Sequence, residues 1–267
     1  MKIEFLNKEN DTVTLLLKDT NPTEINMLRR LIIEEVPTLA IEDVTFQKNN
    51  SALYDEIVAH RLGLLALKTD LKSYDLPSEC KGKKKDEEVC TKENCPHHTL
   101  LLTLKATGPK TVYAEEIVSK DKAVKPVHPK TPIVKLIKKQ SLEFEARAVM
   151  GQGKDHMKFS PGLVYYKGYP HIKVGEIKNP EAIAAVCPQK VYEVKNDKLK
   201  IVDEKKCILC KACVDASEKK IEVKGSEEEF IFSIESWGQL EHDEMLLKAM
   251  DIMDSKLDEF EKQIKKL

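Results

Sequence analysis

Ile3 and Phe5 alternate with polar residues, and so do Val13, Leu15 and Leu17, with Asn10-Asp11 between the two runs. Period-two alternation on both sides of a polar pair predicts a β-hairpin. A helix follows. Asn21 can cap it, Pro22 suits its first position, and Glu24 stands three residues after the cap. Ile25, Leu28 and Ile32 fall on one helical face with Leu31 and Val36 beside them, and Pro37 ends the run because it has no amide hydrogen to give. Arg29 and Arg30 lie mid-helix, so one of them must point away from the apolar stripe. A second helix is expected from Ala52 to about Leu67, with Asp55 and Glu56 in its first turn.

Further on, Leu100, Leu102 and Leu104 read as one strand, and Leu142, Phe144, Ala146 and Ala148 as another. The proline-bearing stretch KAVKPVHPKTP between them reads as extended. GQGKDHMKFSPG (151–162) reads as a loop whose glycines lack dinucleotide-binding spacing. Leu163 to Val174 reads as an extended segment broken by Gly168 and Pro170. Ile221 and Val223, then Gly225-Ser226, then Phe230, Phe232 and Ile234 predict a second hairpin. From about His242 the pattern is helical. Leu246, Met250, Met253, Leu257, Phe260, Ile264 and Leu267 recur in steps of four and three, a heptad seam. Such a seam either packs on the chain's own core or awaits a partner.

A chain of 267 residues can hold one to three domains and bury a real core. Charged residues make up 33%, but they nearly cancel to a net charge of -1, which argues against a free-standing nucleic-acid binder. No apolar run is long enough for a membrane span, and MKIEFLNKEN is not a signal peptide, so a cytoplasmic protein is expected. In that compartment the seven cysteines read as metal ligands or reduced thiols, not disulfides. The abundance of Lys and Glu fits a thermophile.

Cys207, Cys210 and Cys213 read C-x-x-C-x-x-C. A bacterial ferredoxin motif adds a fourth cysteine three residues on, followed by proline, and in two-cluster ferredoxins that cysteine serves the other cluster. Here the fourth position is Ser217, while Cys187-Pro188 upstream looks like the tail of a second motif. Cys187 would then join Cys207, Cys210 and Cys213 around one [4Fe–4S] cluster. The other cluster would need positions 177, 180, 183 and 217, which are Ile177, Pro180, Ile183 and Ser217. One ligand set is complete and the other wholly absent. A four-thiolate zinc site is the alternative for the same residues. The resemblance to ferredoxin-like domains covers about Lys173–Lys224. Cys80, Cys90 and Cys95, in the charged excursion LKSYDLPSECKGKKKDEEVCTKENCPHH, could close a second, zinc site with His97; a loop with free thiols is the other reading.

The stretch from Asn21 to Leu62 carries a further resemblance. Asn26 with Arg29-Arg30, Val36-Pro37-Thr38, Glu42-Asp43-Val44, Asn50-Ser51, Asp55-Glu56 and Ala59-His60-Arg61-Leu62 resemble the signature of the alpha-like subunits of RNA polymerase, in particular the archaeal D subunits. Met27 departs from the small residue usual there. The loop at 151–162 resembles one found at that place in D subunits, some of which carry a ferredoxin-like insertion. Related eukaryotic subunits bind zinc in the region of Cys80–Cys95.

The resemblance implies an α+β fold. A dimerisation domain would be made from both chain ends (1–46 and 225–267), with an inserted mostly-β domain (47–172) and a ferredoxin-like domain (173–224). It implies that the first and last helices, with Arg29, Arg30 and the heptad seam, form a heterodimer face for a smaller L subunit. The pair would then dock the small subunits N and P and seat the large catalytic subunits. By this reading the chain is a non-catalytic scaffold that does not itself read DNA sequence. The residues agree: no nucleophile–base pair, phosphate-cradling loop or acidic triad is recognisable, and His60, His128, His156 and His171 stand isolated. The alternative is a ferredoxin-like electron-transfer protein.

Overall fold

The computed structural model describes residues 1–81, 89–90 and 95–266. In chain order these form β1 (Lys2–Glu9), β2 (Thr12–Lys18), α1 (Pro22–Arg30), β3 (Thr38–Asn49), α2 (Asp55–Gly63), β4 (Thr99–Thr107), β5 (Lys110–Tyr113), β6 (Val118–Ser119), β7 (Pro132–Leu136) and β8 (Ser141–Gly151). They continue with β9 (Gly162–Val174), α3 (Pro180–Val186), β10 (Tyr192–Lys195), β11 (Lys198–Ile201), α4 (Ala212–Ala216), β12 (Ile221–Ser236) and α5 (His242–Ile264). The chain divides into two compact units, Met1–Met27 with Val164–Ile234, and Leu28–Leu163 with Glu235–Leu267.

The first unit is built on a four-stranded sheet in the order β1-β2-β12-β9. The expected hairpin of β1 and β2 is antiparallel, pairing Phe5 with Leu15. Leu15, Leu17, Phe232 and Ile234 are buried, whereas Ile3 and Phe5 on the edge strand are exposed. Two sequence readings are corrected here. Gly225-Ser226 makes no hairpin turn, because β12 runs straight through it as one 16-residue strand. Gly168 and Pro170 likewise do not break β9. A Cβ on Gly168 would lie 2.5 Å from the Ser226 carbonyl oxygen, so this glycine serves close strand approach, not a turn. Pro170 is tolerated because β9 is a sheet edge. Between these strands lies the cysteine-bearing segment. Its β10–β11 hairpin turns through Asn196 and Asp197, both in the left-handed region (φ 53 and 57), as a tight two-residue loop requires.

In the second unit β3, β8, β4 and β6 form a sheet and β5 pairs with β7. The buried faces of these strands, among them Ile41, Leu102, Leu104 and Phe144, join Val58 and Leu62 of α2 in one core. α2 stops at Gly63, short of the expected Leu67, which instead bridges to Pro126. The first helix is capped as expected, with the Glu24 amide donating to Asn21 Oδ1 at 3.0 Å. It then widens into a π-turn, Leu31–Glu35, closed by the Val36 amide on the Leu31 carbonyl at 3.1 Å. The 151–162 loop docks on that turn. A Cβ at Gly153 would lie 2.0 Å from the Ile33 carbonyl oxygen, and Gln152 Nε2 donates to the Glu35 carbonyl at 2.8 Å. Among the described residues no helix is long and apolar enough to cross a membrane.

Candidate metal centres and an uncovered helix seam

Cys80, Cys90, Cys95 and His98 come together, all buried, with their ligand atoms within 4.8 Å of one another. Backbone bonds shape the site. The Cys90 amide donates to the Pro77 carbonyl at 2.9 Å, and the His98 and Thr99 amides both donate to the Cys95 carbonyl, at 3.2 and 2.9 Å. Cys80 Sγ and Cys95 Sγ are 3.5 Å apart. The imidazole is His98, not the expected His97, whose side chain is exposed and whose carbonyl accepts from the Asp75 amide. The Cys95–His98 turn feeds β4, so consecutive histidines face opposite ways and only the second points inward. His98 is 5% exposed, and among the described residues neither ring nitrogen has a hydrogen-bond partner. An orphaned buried imidazole costs free energy. A metal ion at the neighbouring thiols would satisfy one of its nitrogens. Burial also pushes the His98 pKa down, which keeps the ring neutral, the form that ligates. This group could hold a metal ion. Much of the charged excursion around it (82–88 and 91–94) lies outside the described residues.

The other four thiols, Cys187, Cys207, Cys210 and Cys213, line one recess together with Val191 and Tyr192. Cys187 follows α3, Cys207 follows a short 3-10 turn (Glu204–Lys206), and Cys213 lies in α4. Leu209 and Lys211, between the cysteines of the C-x-x-C-x-x-C run, adopt left-handed backbone at φ 58 and 61. Non-glycine residues rarely do so. The Leu209 amide donates to Cys207 Sγ and the Val191 amide to Cys187 Sγ, each at 3.4 Å. The Tyr192 hydroxyl lies 3.2 Å from Cys213 Sγ. Burial raises the Cys207 thiol above its ordinary value. An electropositive centre would reverse that by taking the thiolate.

The positions that lack cysteine have other work. Ser217 is buried, donates to the Val214 carbonyl at 3.0 Å and accepts from the Ile221 amide at 3.1 Å, fastening the end of α4. Pro180 opens α3, and Ile183 is core, with Ile177 packed against that core.

The terminal helix is covered only over its N-terminal half. His242, Met245 and Ala249 are buried, on the side that meets the π-turn. The heptad seam borders that stripe and runs on past it, for from Asp254 onward every described residue of the helix is exposed. Leu246 and Met253 are half-buried, Met250 is exposed, and Leu257, Phe260 and Ile264 are 53%, 61% and 51% exposed. Leu267 lies outside the described residues. Arg30 pairs with Glu34 one turn on, at 3.0 Å, while Arg29 is half-buried. Glu35 fastens α5 in place, accepting from Lys256 Nζ at 2.7 Å and from Lys154 Nζ at 3.1 Å. No spacing rule pointed to Glu35 or Tyr192; the paired histidines after Cys95 were the signal for His98.

Residues 40–162 match the family described as the RNA polymerase Rpb3/RpoA insert domain. Over nearly the whole chain the protein is similar to curated subunits named DNA-directed RNA polymerase subunit Rpo3. That of Methanosphaera stadtmanae is 35% identical over 97% of this chain and 96% of its own length. The Pyrococcus horikoshii subunit is 34% identical over 100% and 99%. The Methanothermobacter thermautotrophicus subunit is 38% identical over 97% of both. These matches take in the cysteine-bearing segment, and the electron-carrier alternative finds no support among them. The chain belongs to the Rpo3 family of DNA-directed RNA polymerase subunits, the alpha-like subunits also called D.

Proposed function

We propose that this chain is a non-catalytic scaffold of a cytoplasmic DNA-directed RNA polymerase. It pairs with the smaller L subunit through the terminal helix, docks the small subunits N and P, and seats the large catalytic subunits. The observation that carries this reading is the apolar seam of α5, left exposed at Leu257, Phe260 and Ile264 beyond the first turns that the chain's own core covers. An amphipathic helix that has already satisfied its own fold and still presents a heptad seam is built to meet another chain. In this reading 1–46 and 225–267 make the dimerisation domain of an α+β fold, with 47–172 and 173–224 inserted into it.

Two metal centres belong to the proposal. Cys187, Cys207, Cys210 and Cys213 hold one [4Fe–4S] cluster in a ferredoxin-like insertion, supported by the left-handed residues of the ligand loop and the amides aimed at its sulfurs. Cys80, Cys90, Cys95 and His98 hold zinc, since three thiols and an imidazole are a closed structural set for that ion. Both act as staples.

The test is Leu257→Asp with Phe260→Asp, co-expressed with the small partner. Each side chain buries about 1.5–3 kcal/mol on docking, so the double variant should lose co-elution while its thermal unfolding stays near that of the parent. Full co-elution of the double variant would return the seam to this chain's own fold.

A further inference from the structure

We propose that Lys167 is the positioning residue of the cluster site: from β9 its ammonium grips the carbonyls that open the ligand loop, fixing Cys207 and placing a positive charge beside an anionic centre. This rests on reading the Cys187 set as a [4Fe–4S] site. Lys167 is half-buried, and its Nζ lies 2.7 Å from the Lys205 carbonyl oxygen and 2.6 Å from that of Cys207. It forms no salt bridge among the described residues. A lysine on a strand edge ordinarily keeps its head in water. Here two of its donors are turned inward onto the end of the 3-10 turn that delivers the first cysteine of the run.

The effect on the loop follows bond by bond. The Cys207 carbonyl belongs to the peptide plane between Cys207 and Ile208. Holding it fixes the approach to Leu209, whose left-handed backbone aims its own amide at Cys207 Sγ. A second bond ties the same turn to the same strand, the Ile172 amide donating to Glu204 Oε1 at 2.6 Å. That bond anchors the turn but brings a carboxylate. Lys167 combines an anchor with a cation on the loop that carries Cys207. Four thiolates make a bound cluster anionic overall, so a fixed ammonium nearby favours retention and favours the reduced state.

The experiment uses the full-length chain, purified anaerobically with its cluster, as parent, Lys167→Met, Lys167→Gln and Lys167→Arg, with Lys200→Met on exposed β11 as control. Iron and sulfide per chain, the rate of visible bleaching under a ferrous chelator, and the midpoint potential are measured. Lys167→Met should bleach about tenfold faster, the lower end of what loss of such a supporting contact does, and its potential should move negative. Lys167→Gln keeps a donor without charge, so its potential should fall like that of Met while its lifetime suffers less. Lys167→Arg should keep the potential. If Lys167→Met fails to fold, the contrast between Gln and Arg decides the same point. Parent-like lifetime and potential in Lys167→Gln would overturn the proposal. A parent chain that holds no iron and sulfide would instead overturn the cluster reading on which it rests.

Discussion

The cysteine-bearing segment between β9 and β12 and the core of the larger unit hold themselves together by different means. In the segment the buried set is Ile172, Ile183, Val191, Tyr192, Ile221 and Val223, and two further members are the thiols Cys207 and Cys213. Two of its candidate ligands are part of its core. In the larger unit the core runs through β3, β4, β8 and α2, with Leu102, Phe144 and Leu62 wholly enclosed. There the Cys80 thiols form a separate cluster of their own. A segment with few large apolar side chains struggles to offset its ordering entropy by burial alone, and a bound centre would supply part of its folding free energy. A sheet packed on a helix can. On the proposed reading sulfur is a pillar in one region and a local clip in the other.

The largest expected effect tests the pillar. Replacing Cys207 and Cys210 together with Ser should empty the recess and unfold the insertion, seen as new protease cuts between Lys173 and Lys224. Pairing with the small partner should survive, because the α5 seam is untouched. Retained protease resistance across 173–224 in the cluster-free protein would erase the contrast between the two regions.

A smaller effect is expected at the clip. His98→Ala removes one of the four candidate donors and should weaken metal binding at the Cys80 set by more than the roughly 10–100-fold that loss of an outer supporting contact costs. Iron and sulfide content should not change. The β-core should keep its cooperative unfolding, since no ligand of this set belongs to it. If His98→Ala collapses the whole unit, the clip is a pillar too. If His97→Ala does the damage instead, the ligand assignment is wrong.

The sequence made the strands, the capped first helix and the terminal seam legible, because each rests on local periodicity or a single capping residue. The C-x-x-C-x-x-C run with the distant Cys187 was legible as arithmetic, and the structure gathers those four thiols around one recess. What failed was punctuation. Gly225-Ser226 looked like a turn and Gly168 like a break, yet they face each other across adjacent strands, where glycine allows close approach. A sequence shows that glycine is needed at a position, but not whether the need is for an angle or for space. The choice between His97 and His98 depended on which one faced inward in the turn before β4, which spacing cannot give. Lys167 was invisible because lysine on a charged chain is the commonest surface residue, and only its turn inward onto two carbonyls sets it apart.

The smallest effect concerns how the larger unit fastens its outer helix by charge where apolar contact thins out. Burial pushes the Glu35 carboxyl up, but the ammonium groups of Lys256 and Lys154 outweigh it and hold the pKa below its ordinary 4.5. A carboxyl depressed in the folded state adds stability at pH values above its unfolded pKa, and loses it as pH falls through the folded value. Glu35→Gln should therefore cost on the order of 1 kcal/mol near neutral pH, the scale of a partly shielded ion pair. The difference from the parent should shrink as pH drops below about 5. Trp237 is the chain's one tryptophan and lies in this unit, its amide donating to the Pro161 carbonyl at 3.1 Å. Denaturant unfolding followed by its fluorescence reads the effect directly. The insertion's protease pattern should not respond to Glu35→Gln at any of these pH values. A parent–variant difference that stays constant with pH would mean Glu35 works through its shape and hydrogen bonds, not its charge.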